Sequence, residues 1–188
     1  MKVLKFGGSS IDRPENIHRV KKIIESQPGR VIVVISAFHG ITDQLLNLAR
    51  LAAARDKSFF RIYNDIERIH LETTQQLFEE PLLAEVLDEV SSHLKELISI
   101  INGVYLLHDI TPKVQDRILS FGEILSTCIL SHVIDHAEVA DIKQLIKTDS
   151  NFGNARVNFP LTERLIRSYF KNYDKTALVP GFLGTNEH

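Results

Sequence analysis

The sequence predicts an α/β protein in three layers, with a largely parallel sheet and one inserted helical hairpin. Short β-branched runs alternate with segments whose apolar residues recur every three or four positions, which is typical of strands alternating with helices. Such connections join parallel strands by right-handed crossovers. Two long helical patterns in the middle of the chain interrupt the alternation and predict the hairpin.

The first quarter of the chain predicts two strands and two helices. Residues 3–6 form the first strand, and residues 14–26 form a helix with Asp12 as its N-cap. Residues 30–35 are an almost unbroken β-branched run, which is typical of a strand covered on both faces. A second helix is expected to start near residue 41.

The helical insertion is predicted at about residues 57–103, with a break at Pro81. After the break, apolar residues repeat at alternating spacings of four and three, which is a heptad pattern. These residues are Leu83, Leu87, Val90, Leu94, Leu97 and Ile101. We expect an antiparallel hairpin that packs on itself and on the sheet; an oligomer contact or a lid is the alternative.

The rest of the chain returns to alternation. A long helix is predicted at residues 113–136, followed by a short strand within residues 138–145 and a loop or edge ribbon at residues 147–158. Residues 161–170 predict a helix, and residues 176–179 predict a third buried strand. The second half of the chain therefore adds to the same sheet.

A glycine pair follows the first strand, in the order Lys5-Phe6-Gly7-Gly8-Ser9-Ser10. Glycines let backbone N–H groups approach an oxyanion, and the helix that follows adds partial positive charge. Lys5 precedes the glycines, so the motif is not a Walker loop. The motif indicates a phosphoryl site; the alternative is a plain strand-to-helix turn with a solvated lysine.

The predicted helix at residues 113–136 carries a glycine and a glutamate among apolar residues. Gly122 in a helix indicates close approach by another backbone or by a ligand. Ser120, Glu123 and Thr127 share one face, and a carboxylate on a mostly apolar helix needs a partner. Glu123 is therefore expected to face a pocket and to bind a cationic group such as an amine; the alternative is a surface glutamate.

No metal site is predicted. His132 and His136 are four residues apart but lack an obvious third ligand, and Cys128 is expected to be a small core residue. A second glycine loop, which begins at Pro180-Gly181, follows the predicted strand at residues 176–179. Ligands gather at such strand ends in open α/β sheets.

Composition narrows the class of protein. The 188-residue chain has a net charge of −2, which argues against nucleic-acid binding, and no apolar run reaches membrane-spanning length. One cysteine excludes an internal disulfide framework. The first residues lack the pattern of a signal peptide, so a soluble cytoplasmic protein is expected.

Taken together, the motifs resemble the N-terminal part of an aspartate kinase (aspartokinase) catalytic domain, in the amino acid kinase superfamily. They stand in the family's order along the whole chain and begin at Lys5, Val33, Ser120, Thr148 and Val179. The resemblance extends equally to enzymes in which the kinase is fused to a homoserine dehydrogenase.

The resemblance implies transfer of phosphate from ATP, with Mg²⁺, to the side-chain carboxylate of L-aspartate, the first step toward lysine, threonine and methionine. It implies three groups of site residues: catalytic Lys5, Gly8 and Ser9; substrate-binding Ser36, Thr42 and Glu123; and phosphate- or nucleotide-binding Lys5, Gly7, Gly8, Ser9 and Gly181. Glu123 would hold the aspartate ammonium, and no residue is assigned to a metal.

The resemblance covers residues 1–188 as the acceptor-binding part alone. The family's nucleotide-binding half, with its Gly-Arg-Gly-Gly-Ser-Asp segment, does not match anywhere in the chain, so ATP and Mg²⁺ are expected to need that half. The chain by itself is expected to be inactive and to form a homo-oligomer. The alternatives are another amino acid or carbamate kinase of the same fold, or a non-catalytic helical interaction module.

Overall fold

A parallel sheet forms the centre of the molecule in the computed structural model, which describes residues 1–186. The strands are β1 (Lys2–Phe6), β2 (Val31–Ile35), β3 (Ala137–Val139), β4 (Lys147–Thr148), β5 (Thr176–Pro180) and β6 (Thr185–Asn186). Four of them form the sheet in the order β1-β2-β5-β3, while β4 and β6 form a separate two-stranded parallel sheet. The three predicted strands are confirmed, the short strand lies at β3, and the predicted edge ribbon contains β4.

Seven helices accompany these strands within residues 1–186. They are α1 (Pro14–Glu25), α2 (Ile41–Ala53), α3 (Phe59–Leu77), α4 (Leu82–Leu107), α5 (Pro112–Val133), α6 (Ile142–Leu145) and α7 (Phe159–Tyr169). The sequence predicted all but the short α6. In this part of the chain, no helix combines the length and apolarity needed to span a bilayer.

Two predicted helix ends are wrong. Arg13, with extended backbone angles, is the N-cap of α1. The carboxylate of Asp12 instead accepts a hydrogen bond from the side-chain amide of Asn16 at 2.7 Å. Helix α5 ends at Val133 rather than at His136, because the backbone becomes extended at Ile134. Neither difference changes the helix on which a candidate site residue lies.

Helices cover both faces of the sheet, as predicted for three layers. The side of β2 that carries Val31, Val33 and Ile35 packs in one core with α1, α2 and α5. The opposite side joins a smaller core with α6 and α7. Here the predicted full burial of β2 is only partly right: Ile32 is half-buried, and the neighbouring Val3 on β1 is 65% exposed.

The inserted hairpin packs differently from the expectation. Helices α3 and α4 contact each other and also α2 and α5, so that the four helices form a bundle. Of the heptad residues, Val90, Leu94, Leu97 and Ile101 are buried in this bundle, whereas Leu83 and Leu87 are half-buried. The hairpin thus packs on helices rather than on the sheet. The buried heptad residues contact helices of the same chain.

Candidate functional site

A cavity of about 340 Å³ lies at the C-terminal edge of the sheet. It is lined by Lys5, Val34, Ile35, Ser36, Thr42, Glu123, Gly181 and Phe182. Five of these residues were singled out from the sequence, and they come from five separate segments: β1, the loop after β2, the first turn of α2, the middle of α5 and the loop after β5. This is the edge at which open α/β sheets bind ligands.

The carboxylate of Glu123 is the buried charge of this cavity. The residue is 5% exposed, and its Oε1 accepts a hydrogen bond from the backbone N–H of Ala37 at 3.4 Å. Its Oε2 is buried without a hydrogen-bond partner among residues 1–186. Burial raises the pKa of Glu123, and the Ala37 N–H opposes that rise. A buried, unpaired carboxylate oxygen that faces a cavity is suited to a cationic ligand group.

Helix α5 docks closely on the β2–α2 loop (residues 36–40). A Cβ at Gly122 would lie 2.7 Å from the Cβ of Ala37, and the hydroxyl of Ser126 donates a hydrogen bond to the carbonyl of Ser36 at 2.8 Å. A close approach at Gly122 is confirmed, but the approaching atom is the side-chain carbon of Ala37 rather than another backbone or a ligand. The role of Ser126 was missed, although its spacing of four from Gly122 places both on one helix face.

The two glycines after β1 have different surroundings. A Cβ at Gly8 would lie 2.8 Å from the carbonyl oxygen of Ala37, so the absence of a side chain at Gly8 lets this turn pack on the β2–α2 loop. A Cβ at Gly7 would meet nothing within 4 Å, and Ser9 is exposed in the 3₁₀ turn Gly8–Ser10. Gly7, Gly8 and Ser9 follow β1 directly but do not line the cavity itself. Gly7 precedes the turn, and its carbonyl accepts a hydrogen bond from the N–H of Ser10 at 2.9 Å.

Lys5 supplies the positive charge of the cavity. Its side chain is exposed and forms no ion pair with another residue in the part of the chain that the structure describes. The cavity therefore offers an unpaired ammonium and an unpaired carboxylate oxygen. This combination is complementary to a small ligand that carries both an amine and an acidic group.

The loop after β5 closes another side of the cavity. The N–H of Gly181 donates to the carbonyl of Ile35 at 2.7 Å, and a Cβ at Gly181 would lie 3.1 Å from the same oxygen. Phe182, which the sequence reasoning missed, has a φ of 63° and is 75% exposed. A bulky residue in the left-handed region is uncommon and marks local strain. Only its place after the glycine could have indicated it.

The other polar candidates lie outside the cavity. The hydroxyl of Ser120 donates to the carbonyl of Arg117 in its own helix, and the buried Thr127 hydroxyl also does not line the cavity. Cys128 is buried, as predicted, and burial beside Glu89 raises its pKa to about 12. Within residues 1–186, no group of three or more histidine, cysteine or acidic residues could hold a metal ion.

The whole chain, residues 1–188, matches the model of a family described as the amino acid kinase family. It is 25% identical to bifunctional aspartokinase/homoserine dehydrogenase 1, chloroplastic, of Zea mays, over 97% of this chain and 21% of that protein. It is 28% identical to aspartokinase 2, chloroplastic, of Arabidopsis thaliana, over 97% of this chain and 35% of that protein. The chain thus spans about a fifth to a third of the length of these curated relatives.

A solved structure shows the same fold. E. coli aspartokinase III in complex with lysine and aspartate (T-state) superposes with a TM-score of 0.87 at 22% identity, over 100% of this chain and 42% of that chain. The same enzyme in complex with aspartate and ADP (R-state) superposes with a TM-score of 0.85 at 23% identity. The predicted fold class is therefore confirmed.

Proposed function

Since this chain belongs to the amino acid kinase family, we propose that it forms the acceptor-binding part of an aspartate kinase, which phosphorylates the side-chain carboxylate of L-aspartate with ATP. The observation that carries the proposal is the buried, unpaired Oε2 of Glu123 in the same cavity as Lys5. The named relatives are aspartokinases, and they support this choice. The activity of the whole protein is part of the proposal, because the chain spans only part of those relatives.

Glu123 binds the ammonium group of aspartate through Oε2, while the Ala37 N–H donates a hydrogen bond to Oε1. Ser36 and Thr42 line the same cavity and offer hydroxyl groups to the α-carboxylate or the side chain. Burial makes the pairing with the ammonium stronger than it would be in water. Binding the ammonium also supplies the partner that Oε2 lacks, so recognition of the amine removes a cost that the free protein carries.

Lys5 stabilises negative charge on the acceptor carboxylate and on the transferring phosphoryl group. Phosphoryl transfer depends mainly on positioning and charge stabilisation, and an ammonium on the cavity wall provides both. ATP, when bound, supplies the phosphoryl group, and the open backbone at Gly7 suits a phosphate. Gly8 contributes by keeping this turn packed on the β2–α2 loop.

The residues of the described chain do not form a cluster that fits Mg²⁺. We therefore assign no step to a metal held by this chain. Use of ATP with Mg²⁺ and assembly as a homo-oligomer remain predictions. A cytoplasmic location also remains a prediction, and the plant relatives are named chloroplastic.

Isothermal titration calorimetry on the 188-residue chain tests the acceptor. We expect L-aspartate to bind, L-glutamate to bind at least about tenfold more weakly because one further methylene must fit the cavity, and N-acetyl-L-glutamate not to bind because its acylated amine cannot pair with Glu123. Binding of N-acetyl-L-glutamate or carbamate would instead support another kinase of this fold. Absence of any amino acid binding would contradict the proposal and favour a helical interaction module.

A further inference from the structure

The position of the β2–α2 loop determines where two proposed acceptor contacts lie. Ser36 begins the loop, and Thr42 follows it in the first turn of α2. One anchor of the loop is α5, through Glu123 and Ser126. The other anchor is Phe38, which is 3% exposed although it lies in a connection between a strand and a helix.

The ring of Phe38 stacks on the imidazole of His70, which belongs to α3 in the inserted hairpin. The ring centroids are 5.1 Å apart and the ring planes differ by 11°. His70 Nδ1 lies 2.7 Å from the carbonyl oxygen of Ile66. Because a carbonyl oxygen can only accept, Nδ1 carries the proton, and this hydrogen bond sets the plane of the imidazole against its own helix.

Core packing alone does not explain a histidine at this position. The imidazole is fully buried, and Nε2 has no hydrogen-bond partner among residues 1–186. An aliphatic side chain would fill the space without leaving a polar atom unpaired. What the imidazole adds is a flat, oriented face for Phe38.

We propose that His70 is a positioning residue: through its stack on Phe38 it holds the β2–α2 loop in place, and the inserted hairpin thereby supports the acceptor cavity. The identity of the acceptor rests on the proposed function, whereas the order of the loop does not. The two parts can therefore be measured separately on the 188-residue chain.

Three variants separate positioning from general stability. His70→Leu removes the stack, whereas His70→Phe keeps a flat ring but removes both the unpaired nitrogen and the hydrogen bond to Ile66 that orients the ring. Ile101→Val is the matched control, because it trims the bundle core away from Phe38. Ile101 lies one turn before Tyr105 on α4, and Tyr105 contacts Phe59 at the start of α3. For each variant we would measure thermal stability, amide hydrogen exchange at Ala37 and the Kd for L-aspartate.

We expect His70→Leu to speed exchange at Ala37 and to weaken L-aspartate binding, each by about tenfold, as is usual for coupled neighbours. His70→Phe, which keeps a face without its orienting hydrogen bond, should fall between the wild type and His70→Leu in both measurements, and Ile101→Val should lower stability without changing either. The proposal is overturned if His70→Leu leaves Ala37 exchange unchanged, or if Ile101→Val changes it equally. If exchange responds as expected but the wild-type chain binds no L-aspartate, the positioning role stands and the acceptor assignment fails.

Discussion

The Cβ that Gly122 lacks would lie 2.7 Å from the Cβ of Ala37, closer than two such atoms approach in folded proteins. Helix α5 and the β2–α2 loop are therefore so close at this point that a methyl group added at Gly122 would push them apart. The same contact brings the Ala37 N–H to Glu123 and the Ser36 carbonyl to Ser126. The geometry of the cavity thus depends on a glycine that does not line it.

Gly122→Ala should move α5 away from the loop. We expect a loss of about 1–3 kcal/mol in the free energy of unfolding, as for an overpacked core, together with weaker L-aspartate binding. Gly103→Ala on α4 is the control, because a Cβ there meets nothing within 4 Å. That change should gain up to about 1 kcal/mol from helix propensity. Chemical denaturation of both variants measures the difference, and equal stabilities would contradict the close contact.

The glycine pair allows a second matched comparison. Gly8→Ala places a Cβ 2.8 Å from the Ala37 carbonyl oxygen, so we expect it to cost about 1–3 kcal/mol of stability. Gly7→Ala meets no atom within 4 Å and should change stability by less than about 0.5 kcal/mol. If Gly7 approaches a phosphate, Gly7→Ala should still slow phosphoryl transfer in the full-length protein. Melting curves and steady-state kinetics on both variants separate the two roles.

Glu123→Gln should change binding and stability in opposite directions. Loss of the charged pair with the ammonium should weaken L-aspartate binding by about 1.5–3 kcal/mol. The ligand-free variant should be more stable at neutral pH, because glutamine has no charge to desolvate, while its amide N–H groups take the unpaired place of Oε2. The pKa of Glu123 is raised by burial, so the wild type should lose stability relative to the variant as pH rises above 4.5.

Calorimetry with L-aspartate and thermal melts across this pH range test both parts of the Glu123 prediction. Glutamine keeps an acceptor for the Ala37 N–H, so the variant isolates the charge. Unchanged aspartate affinity would remove Glu123 from the acceptor site. A variant less stable than the wild type would show that the buried charge costs less than the unpaired amide N–H groups that replace Oε2.

Lys5→Ala should lower kcat of the full-length protein by about a hundredfold or more, with smaller changes in either KM. A charge on the transferring group acts mainly in the transition state, and the size follows from removal of one preorganised stabilising group. The fold should be preserved, since Lys5 is exposed at the end of β1. A variant that keeps most of kcat would leave Lys5 as a solvated lysine at a strand end.

His70 should make the stability of the fold sensitive to mild acid. Burial lowers its pKa from 6.5 to about 4. Between these two pH values the unfolded chain binds a proton that the folded chain does not, so stability is lost as pH falls, by up to about 3 kcal/mol. His70→Phe should flatten this part of the profile. Denaturant titrations at pH 7, 5.5 and 4.5 measure it, and parallel profiles for the two proteins would contradict a buried neutral imidazole.

The sequence by itself determined the alternation of strands and helices, because each element carries its own local signal. The β-branched run in β2 and the apolar periodicity of α3 and α4 identify these elements without knowledge of their neighbours. Lys5, Glu123 and Gly181 were also recognisable from short motifs at a strand end or within a helix, whereas Ser36 and Thr42 were identified only through the family resemblance. The convergence of the strand-end residues on one sheet edge follows from parallel topology.

Tertiary structure alone decided which partner each apolar face meets and which polar atoms remain unpaired. The heptad pattern of α4 is compatible with a sheet, a second chain or a bundle as its partner, since periodicity identifies a buried face but not what covers it. Likewise, the stack of Phe38 on His70 joins residues from two elements that no local motif connects. Whether Glu123 is a solvated glutamate or a buried, unpaired carboxylate depends on how closely α5 approaches the β2–α2 loop, and that distance is set by packing across the whole core.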